Sequence, residues 1–155
     1  MIWTAGSHVM YAPEGAGTVL RSTEKTVLGR RATYHEIVLV GSRMRILVPA
    51  DQTDAIAVRP VVQKGELGRI AAMLTERDMA LPNSWPQRQR MERDIMATGD
   101  AYRIAHLIGT LNRRASHLGL ADTERALLND ARHLLGTELA LVRDTTLHDA
   151  QCWIE

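Results

Sequence analysis

Phenylalanine is absent from this chain, and Trp and Tyr together bring the aromatic share to only 4%. A core must therefore be filled by Leu, Ile, Val, Met and Ala, which supply most of a 45% hydrophobic fraction. That fraction excludes a disordered polar tract. A single cysteine, Cys152, excludes a disulfide framework and a Cys-rich zinc site. Lysine is almost missing as well: only Lys25 and Lys64 occur, so arginine carries nearly all the positive charge. Lys and Arg number 19 against 18 Asp and Glu, a net charge of +1 that excludes a uniformly basic coat. Any contact with nucleic acid must come from a local patch. No apolar run approaches the ~20 residues of a membrane span, and no basic-then-apolar leader opens the chain. The expectation is a soluble, cytoplasmic protein.

The 155 residues suffice for one ordinary domain or two small ones. The first third reads as strands. Val9-Met10-Tyr11 is short and apolar, and Pro13-Glu14-Gly15-Ala16-Gly17 carries turn chemistry. Residues 18–23 are rich in β-branched types, Leu28-Gly29-Arg30-Arg31 reads as a hairpin loop, and residues 33–40 as the next strand. Met44, Ile46 and Val48 then alternate with their neighbours as far as Pro49. Short strands punctuated by Gly predict a small, strongly bent antiparallel sheet or barrel. From Lys64 the period changes. Leu67, Ile70, Ala71 and Leu74 form one face of a helix. Ser84 followed by Gln87 is a capping-box pattern, with Pro86 tolerated in the first turn, and this helix runs to Gly99. Asp100 caps a third helix striped by Ile104, Leu107, Ile108 and Leu111. A long fourth starts at Ala121 or Asp122 and carries Leu127, Leu128, Ala131, Leu134, Leu135 and Leu139. Asp144-Thr145-Thr146 caps a last turn. Strands first and helices afterwards predict an α+β protein in two segregated lobes. The boundary is expected between residues 51 and 62, giving units 1–56 and 57–155.

Catalytic signatures fail on context. Gly15-Ala16-Gly17 precedes a strand, whereas a dinucleotide cradle needs the N-terminus of a helix. The six histidines (8, 35, 106, 117, 133 and 148) form no metal-hydrolase pair and read as surface or capping residues. Cys152 sits in the tail, a poor place for a preorganised nucleophile. No constellation meets the geometric roles of an active site, so no enzyme, cofactor or metal is expected.

Charge is unevenly placed along the helical part. Between residues 85 and 114 six arginines face three acids, a surplus of three; from residue 115 onward three arginines face seven acids. A lobe basic at one end could touch phosphates there, although exposed helix faces are charged in any case. Trp85 stands between Ser84 and Pro86, with Arg88 and Arg90 behind it. It could be a core plug. It could equally be an exposed apolar wedge flanked by arginine, of the kind that holds a distorted minor groove.

In their order and spacing, several segments resemble the CarD/CdnL family of bacterial RNA polymerase-binding transcription regulators, over nearly the whole chain. They are GSHVMYAPEGAG at residues 6–17, Val48-Pro49-Ala50, Val58-Arg59, Pro82-Asn83-Ser84-Trp85, Gly99-Asp100, and Arg113-Arg114 with Gly119-Leu120 and Glu124. The resemblance implies an N-terminal Tudor-like β-barrel that docks on the polymerase β subunit. That module is similar to the one in the transcription-repair coupling factor. It also implies a C-terminal all-helical domain at the upstream edge of melted promoter DNA, acting without catalysis or cofactor on the lifetime of the open complex, presumed monomeric. By position, Trp85 matches the family's wedge. Arg90, Arg114 and Arg125 match its basic DNA-contacting positions, and Arg88 adjoins them. Lys25 matches a polymerase-contacting position. Leu47 stands where several members carry arginine, and Arg45, two residues back on the same strand face, can supply that charge. The competing reading is a protein-interaction module whose helices are only a scaffold, with Trp85 buried.

Overall fold

The computed structural model describes residues 3–52 and 58–154. Five strands come first: β1 (His8–Tyr11), β2 (Gly15–Val27), β3 (Arg30–Leu39), β4 (Arg45–Pro49) and β5 (Val58–Pro60). Five helices follow: α1 (Leu67–Leu74), α2 (Trp85–Thr98), α3 (Ala101–His117), α4 (Asp122–Arg143) and α5 (Leu147–Ile154). The α+β class, with a Tudor-like sheet lobe before an all-helical lobe, is as the sequence indicated. Among the described residues no helix is long and apolar enough to cross a membrane. Residues 53–57, on which the expected boundary falls, lie outside the described residues. Directly after them Val58–Pro60 returns to the sheet and pairs with β1.

The strands form one antiparallel sheet in the order β4-β3-β2-β1-β5. The turn between β1 and β2 is confined to residues 12–14, and Gly15, Ala16 and Gly17 belong to β2, not to the loop chemistry expected of them. At the next hairpin Val27 pairs with Arg30, leaving Leu28 and Gly29 as a two-residue turn with φ of 52° and 77°. Positive φ at both positions gives the twist that antiparallel strands favour. A register shift between Val19 and Arg21 bends β2. One face of the sheet buries Val9, Val19, Ile37, Leu39, Val48 and Val58. His35 also points inward and is fully buried, with its Nδ1 2.8 Å from the Ser22 hydroxyl. The surface role expected of it is thus corrected: the ring lies inside the sheet's core.

In the helical lobe Ile104, Leu107, Ile108 and Leu111 of α3 are at most 1% exposed and meet Leu128, Ala131, Leu135 and Leu139 of α4. At roughly 1.5–3 kcal/mol for each fully buried side chain, this seam outweighs the intrinsic preference of either helix. Asp100 caps α3 as expected, its Oδ1 accepting from the backbone N–H groups of Tyr102 (2.9 Å) and Arg103 (3.2 Å). Ser84 is the N-cap residue of α2, but its side chain makes no capping hydrogen bond, so the capping box with Gln87 does not form.

The lobes are joined through the middle of α4. Thr137 Oγ1 accepts from the Ala16 N–H at 2.9 Å and donates to Leu134 C=O at 2.7 Å. Gly15 has φ of +118°, and a Cβ there would lie 2.9 Å from the Thr137 hydroxyl, so only glycine lets β2 begin this close to the helix. The next residue, Glu138, is 1% exposed and accepts from Arg59 Nη1 (2.6 Å) and Nη2 (2.8 Å) and from the Val62 N–H (2.9 Å). Arg59 also donates to Gly99 C=O, through Nε at 3.0 Å and Nη2 at 2.6 Å. Met10, Ala16 and Leu134 close the apolar part of the junction. Glu138→Ala leaves Arg59 without its carboxylate in a site that has little water to offer, and is expected to cost about 3 kcal/mol in chemical denaturation. A loss below about 0.5 kcal/mol, typical of a surface substitution, would show that the pair does not hold the lobes together.

Candidate nucleic-acid interface

The first turn of α2, the last turn of α3 and the first turn of α4 meet at the end of the helical lobe farthest from the junction. Glu124 lies there, and Glu138 lies about 21 Å farther along α4 at ~1.5 Å rise per residue. Trp85 opens α2 and is partly exposed, neither sealed in the core nor standing free in water. The guanidinium of Arg88 lies over its ring, 5.1 Å from the centroid. Such a cation–π contact contributes about 1 kcal/mol where water is partly excluded.

Arg88 does not face solvent. It is buried and paired with buried Glu124, Nε to Oε2 at 3.2 Å and Nη2 to Oε1 at 3.4 Å. Its Nη1 donates to the carbonyls of Pro82 and Asn83. With its donors so occupied, Arg88 has no fork to offer a phosphate, and its expected place among the DNA-contacting arginines is corrected to one beneath the indole. Arg90 and Arg125 are exposed and enter no ion pair among the described residues. Arg114 is partly buried, and its Nε is shielded without a partner among the described residues. Arg113, counted in the basic stretch, is held by Asp78 and the carbonyls of Leu74 (3.0 Å) and Glu76 (2.7 Å). The patch available to DNA is thus smaller than the charge count suggested.

Beside Trp85 a cleft of about 370 Å³ runs between α2 and α4, with Glu92, Met96, Glu124 and Leu127 among its walls. Glu92 is fully buried, and neither carboxyl oxygen has a hydrogen-bond partner in the structure as it stands. Burial pushes its carboxyl up to about 8; neighbouring Glu124 adds to the rise, and Arg88 and Arg114 oppose it. The rise favours the protonated carboxylic acid, a form able to donate to the Glu124 carboxylate. Sequence reasoning missed this group. A signal was present: the buried positions of α2 are Arg88, Glu92 and Ile95, a helical stripe charged at two of three positions.

The three residues expected to touch polymerase share the other face of the sheet. Leu47 on β4 and Arg21 on β2 both pair in register with Glu36 on β3. Glu36 binds Arg21 at 2.7 Å and Arg45 at 3.6 Å. The hydrogen bond from Arg21 holds its carboxyl below the ordinary carboxylate range, with the charges of Arg21, Arg45 and Lys25 contributing. Arg45 and Lys25 are exposed, and Leu47 is 43% exposed. Near β1 the same face is covered by α4 through Met10 and Ala16, whereas toward β3 and β4 and along the outer part of β2 it is open. Glu36 and Arg21 are members of this cluster that spacing alone did not single out.

Two family models cover nearly all of the chain. One, described as CarD, C-terminal domain, matches residues 69–155, and the other, CarD-like/TRCF RID domain, matches residues 4–62. The chain is also similar to "Putative transcription factor YdeB" of Bacillus subtilis (strain 168), at 27% identity over 143 residues, 91% of this chain and 92% of that protein.

The Glu92 carboxyl makes stability depend on pH. Its raised value means that the folded chain holds a proton the unfolded chain releases above the ordinary value of 4.5, so stability falls as pH rises toward about 8 and levels off beyond. Glu92→Gln keeps the shape and the donor without the charge. Its thermal midpoint is expected to exceed the wild type's at pH 8.5 by several degrees, on the order of a few kcal/mol, and to match it near pH 4. Equal differences at both pH values would place the proton elsewhere.

Proposed function

The chain belongs to the CarD family of transcription factors, whose work is RNA polymerase-associated regulation of transcription, and from that premise we propose how its two lobes divide the task. The sheet lobe docks on the β subunit of RNA polymerase through the open part of the face that carries Glu36, using Lys25 of β2 with Arg45 and the apolar side chain of Leu47 on β4. The helical lobe meets promoter DNA at the upstream fork of the melted region. There Trp85 wedges beside the unpaired edge, while Arg90, Arg125 and the exposed part of Arg114 rest on phosphates. The protein acts as a monomer in the cytoplasm, without a cofactor or a catalytic step.

The observation that carries this reading is Trp85 itself: a large apolar ring left partly in water, at the far end of a lobe whose other end is fastened to the sheet. A buried plug would have favoured the scaffold reading. Phosphate contacts position a protein without reading sequence, so three arginines suffice for orientation and not for promoter choice. Their weak intrinsic affinity is no obstacle, because a protein already bound to polymerase meets the adjacent DNA as an effectively intramolecular partner. Unstacking at a fork costs a few kcal/mol per step, and a wedge lowers that cost only if it binds melted DNA better than closed duplex.

Base–aromatic stacking is worth about 1–3 kcal/mol, so Trp85→Ala is expected to shorten the open-complex lifetime about fivefold to a hundredfold in a competitor-challenged dissociation assay. Binding to the β subunit should persist in that variant and be lost in the double charge reversal Lys25→Glu with Arg45→Glu. Lifetimes unchanged by Trp85→Ala would remove the wedge. Retained β-subunit binding by the charge-reversed protein would remove the proposed docking face.

A further inference from the structure

Trp85, Arg88 and Glu92 occupy one face of α2 at successive turns, and Glu124 of α4 closes on that face from across the cleft. The four groups form a connected set. The indole lies under the Arg88 guanidinium, which is held by Glu124, and the buried carboxyl of Glu92 stands one helical turn from Arg88. Four-residue spacing lets an ionised Glu pair with an Arg on the same helix. Glu92 is therefore a rival to Glu124 for the same guanidinium. The rivalry is dormant while Glu92 keeps its proton, because a neutral acid has no charge to offer Arg88. Each neighbouring element contributes one charged group to this carboxyl: Arg88 from α2, Arg114 from α3 and Glu124 from α4. Arg93 and Asp130 also line the cleft beside it.

Resting on the reading of Trp85 as the wedge, we propose that Arg88 and Glu124 are positioning residues that hold the indole for DNA, and that the Glu92 carboxyl gates them. Protonated, it is uncharged and leaves Arg88 paired with Glu124 and seated on the ring. Ionised, it draws Arg88 along α2 away from Glu124 and frees the ring to turn. A buried pair of this kind is poor evidence of added stability, since apolar replacements of similar volume are often as stable. Its effect lies in fixing one orientation of a side chain that must be ready before DNA arrives. Proton loss breaks only the carboxyl O–H bond, the proton passing to solvent water, and exchanges one ion pair for another, so the change is reversible and its reach is the length of one helical turn.

The test uses the full chain labelled with 5-fluorotryptophan, which gives three fluorine resonances for Trp3, Trp85 and Trp153, the Trp85 signal being assigned by its loss in Trp85→Phe. Between pH 6 and 9.5 the Trp85 resonance is expected to move along a single-proton curve while the other two stay put, and in Glu92→Gln to remain at its acid-end position. A Trp85 resonance that stays fixed in the wild type, or titrates unchanged in Glu92→Gln, overturns the gate. A companion measurement takes the open-complex lifetime with the protein relative to that without it, at pH 7 and pH 9. The wild-type ratio should fall about fivefold, the equivalent of a cation–π contact near 1 kcal/mol, and the Glu92→Gln ratio should not. A falling wild-type ratio that Glu92→Gln reproduces also overturns the gate. The resonance belongs to the free protein, so it tests the gate even if Trp85→Ala proves harmless to lifetimes. Conversely, lifetimes that depend on Trp85 beside a resonance that ignores pH would retain the wedge and discard the gate.

Discussion

The architecture depends on two consecutive residues in the middle of α4. Thr137 ties the first residues of β2 to the helix, and Glu138 ties β5, the segment leading into α1, and through Arg59 the C-terminal end of α2. Both act on backbone groups, and Glu138 on a side chain as well, so the sheet cannot swing on the helices without leaving buried donors unpaired, at roughly 1–3 kcal/mol each. A loosely linked pair of lobes would lose much of the advantage of tethering, because the second contact would be spread over many orientations. With the junction fixed, the distance and direction from the open part of the sheet to Trp85 become properties of the fold.

The two functional faces are built on opposite electrostatic plans. On the sheet, Glu36 gathers Arg21 and Arg45 at an exposed surface, where ion pairs contribute little stability and hold basic side chains in place. At the tip of the helical lobe Glu92 and Glu124 are buried, and Glu124 withdraws Arg88 from solvent to place it against an indole. The consequence is a sparse cationic surface around one ring. That suits a protein whose location is set by polymerase, since a broad basic surface would hold it on duplex DNA everywhere.

Much of the fold was legible along the chain because its signals are local. The stripe of α3, the Asp100 cap and the long α4 follow from spacing of a few residues, and all stand where expected. What escaped were polar residues with distant partners. Glu138 meets a residue 79 positions away, Thr137 one 121 away and Arg88 one 36 away, and nothing in a short window tells a buried charge from a solvated one. His35 was misplaced for the same reason, its neighbours being Ser22 and the N-terminal segment around Trp3. Ser84 shows the converse: the capping pattern is local and complete, yet no side-chain capping bond forms at α2, whose first turn is instead drawn to α4 through Arg88. Among the site residues, motif position singled out Trp85, Arg90 and Arg125, which are accessible, whereas Arg88 needed the tertiary structure to reveal its task.

The most direct trial of the central claim watches the DNA base that Trp85 is held to touch. A promoter carrying 2-aminopurine at the upstream edge of the melted region, bound by polymerase, would have its fluorescence recorded with the wild-type protein and with Trp85→Ala at saturating concentration. The account predicts that the wild type quenches this base and the variant does not, though both remain bound to polymerase. Equal fluorescence with the two proteins would contradict it.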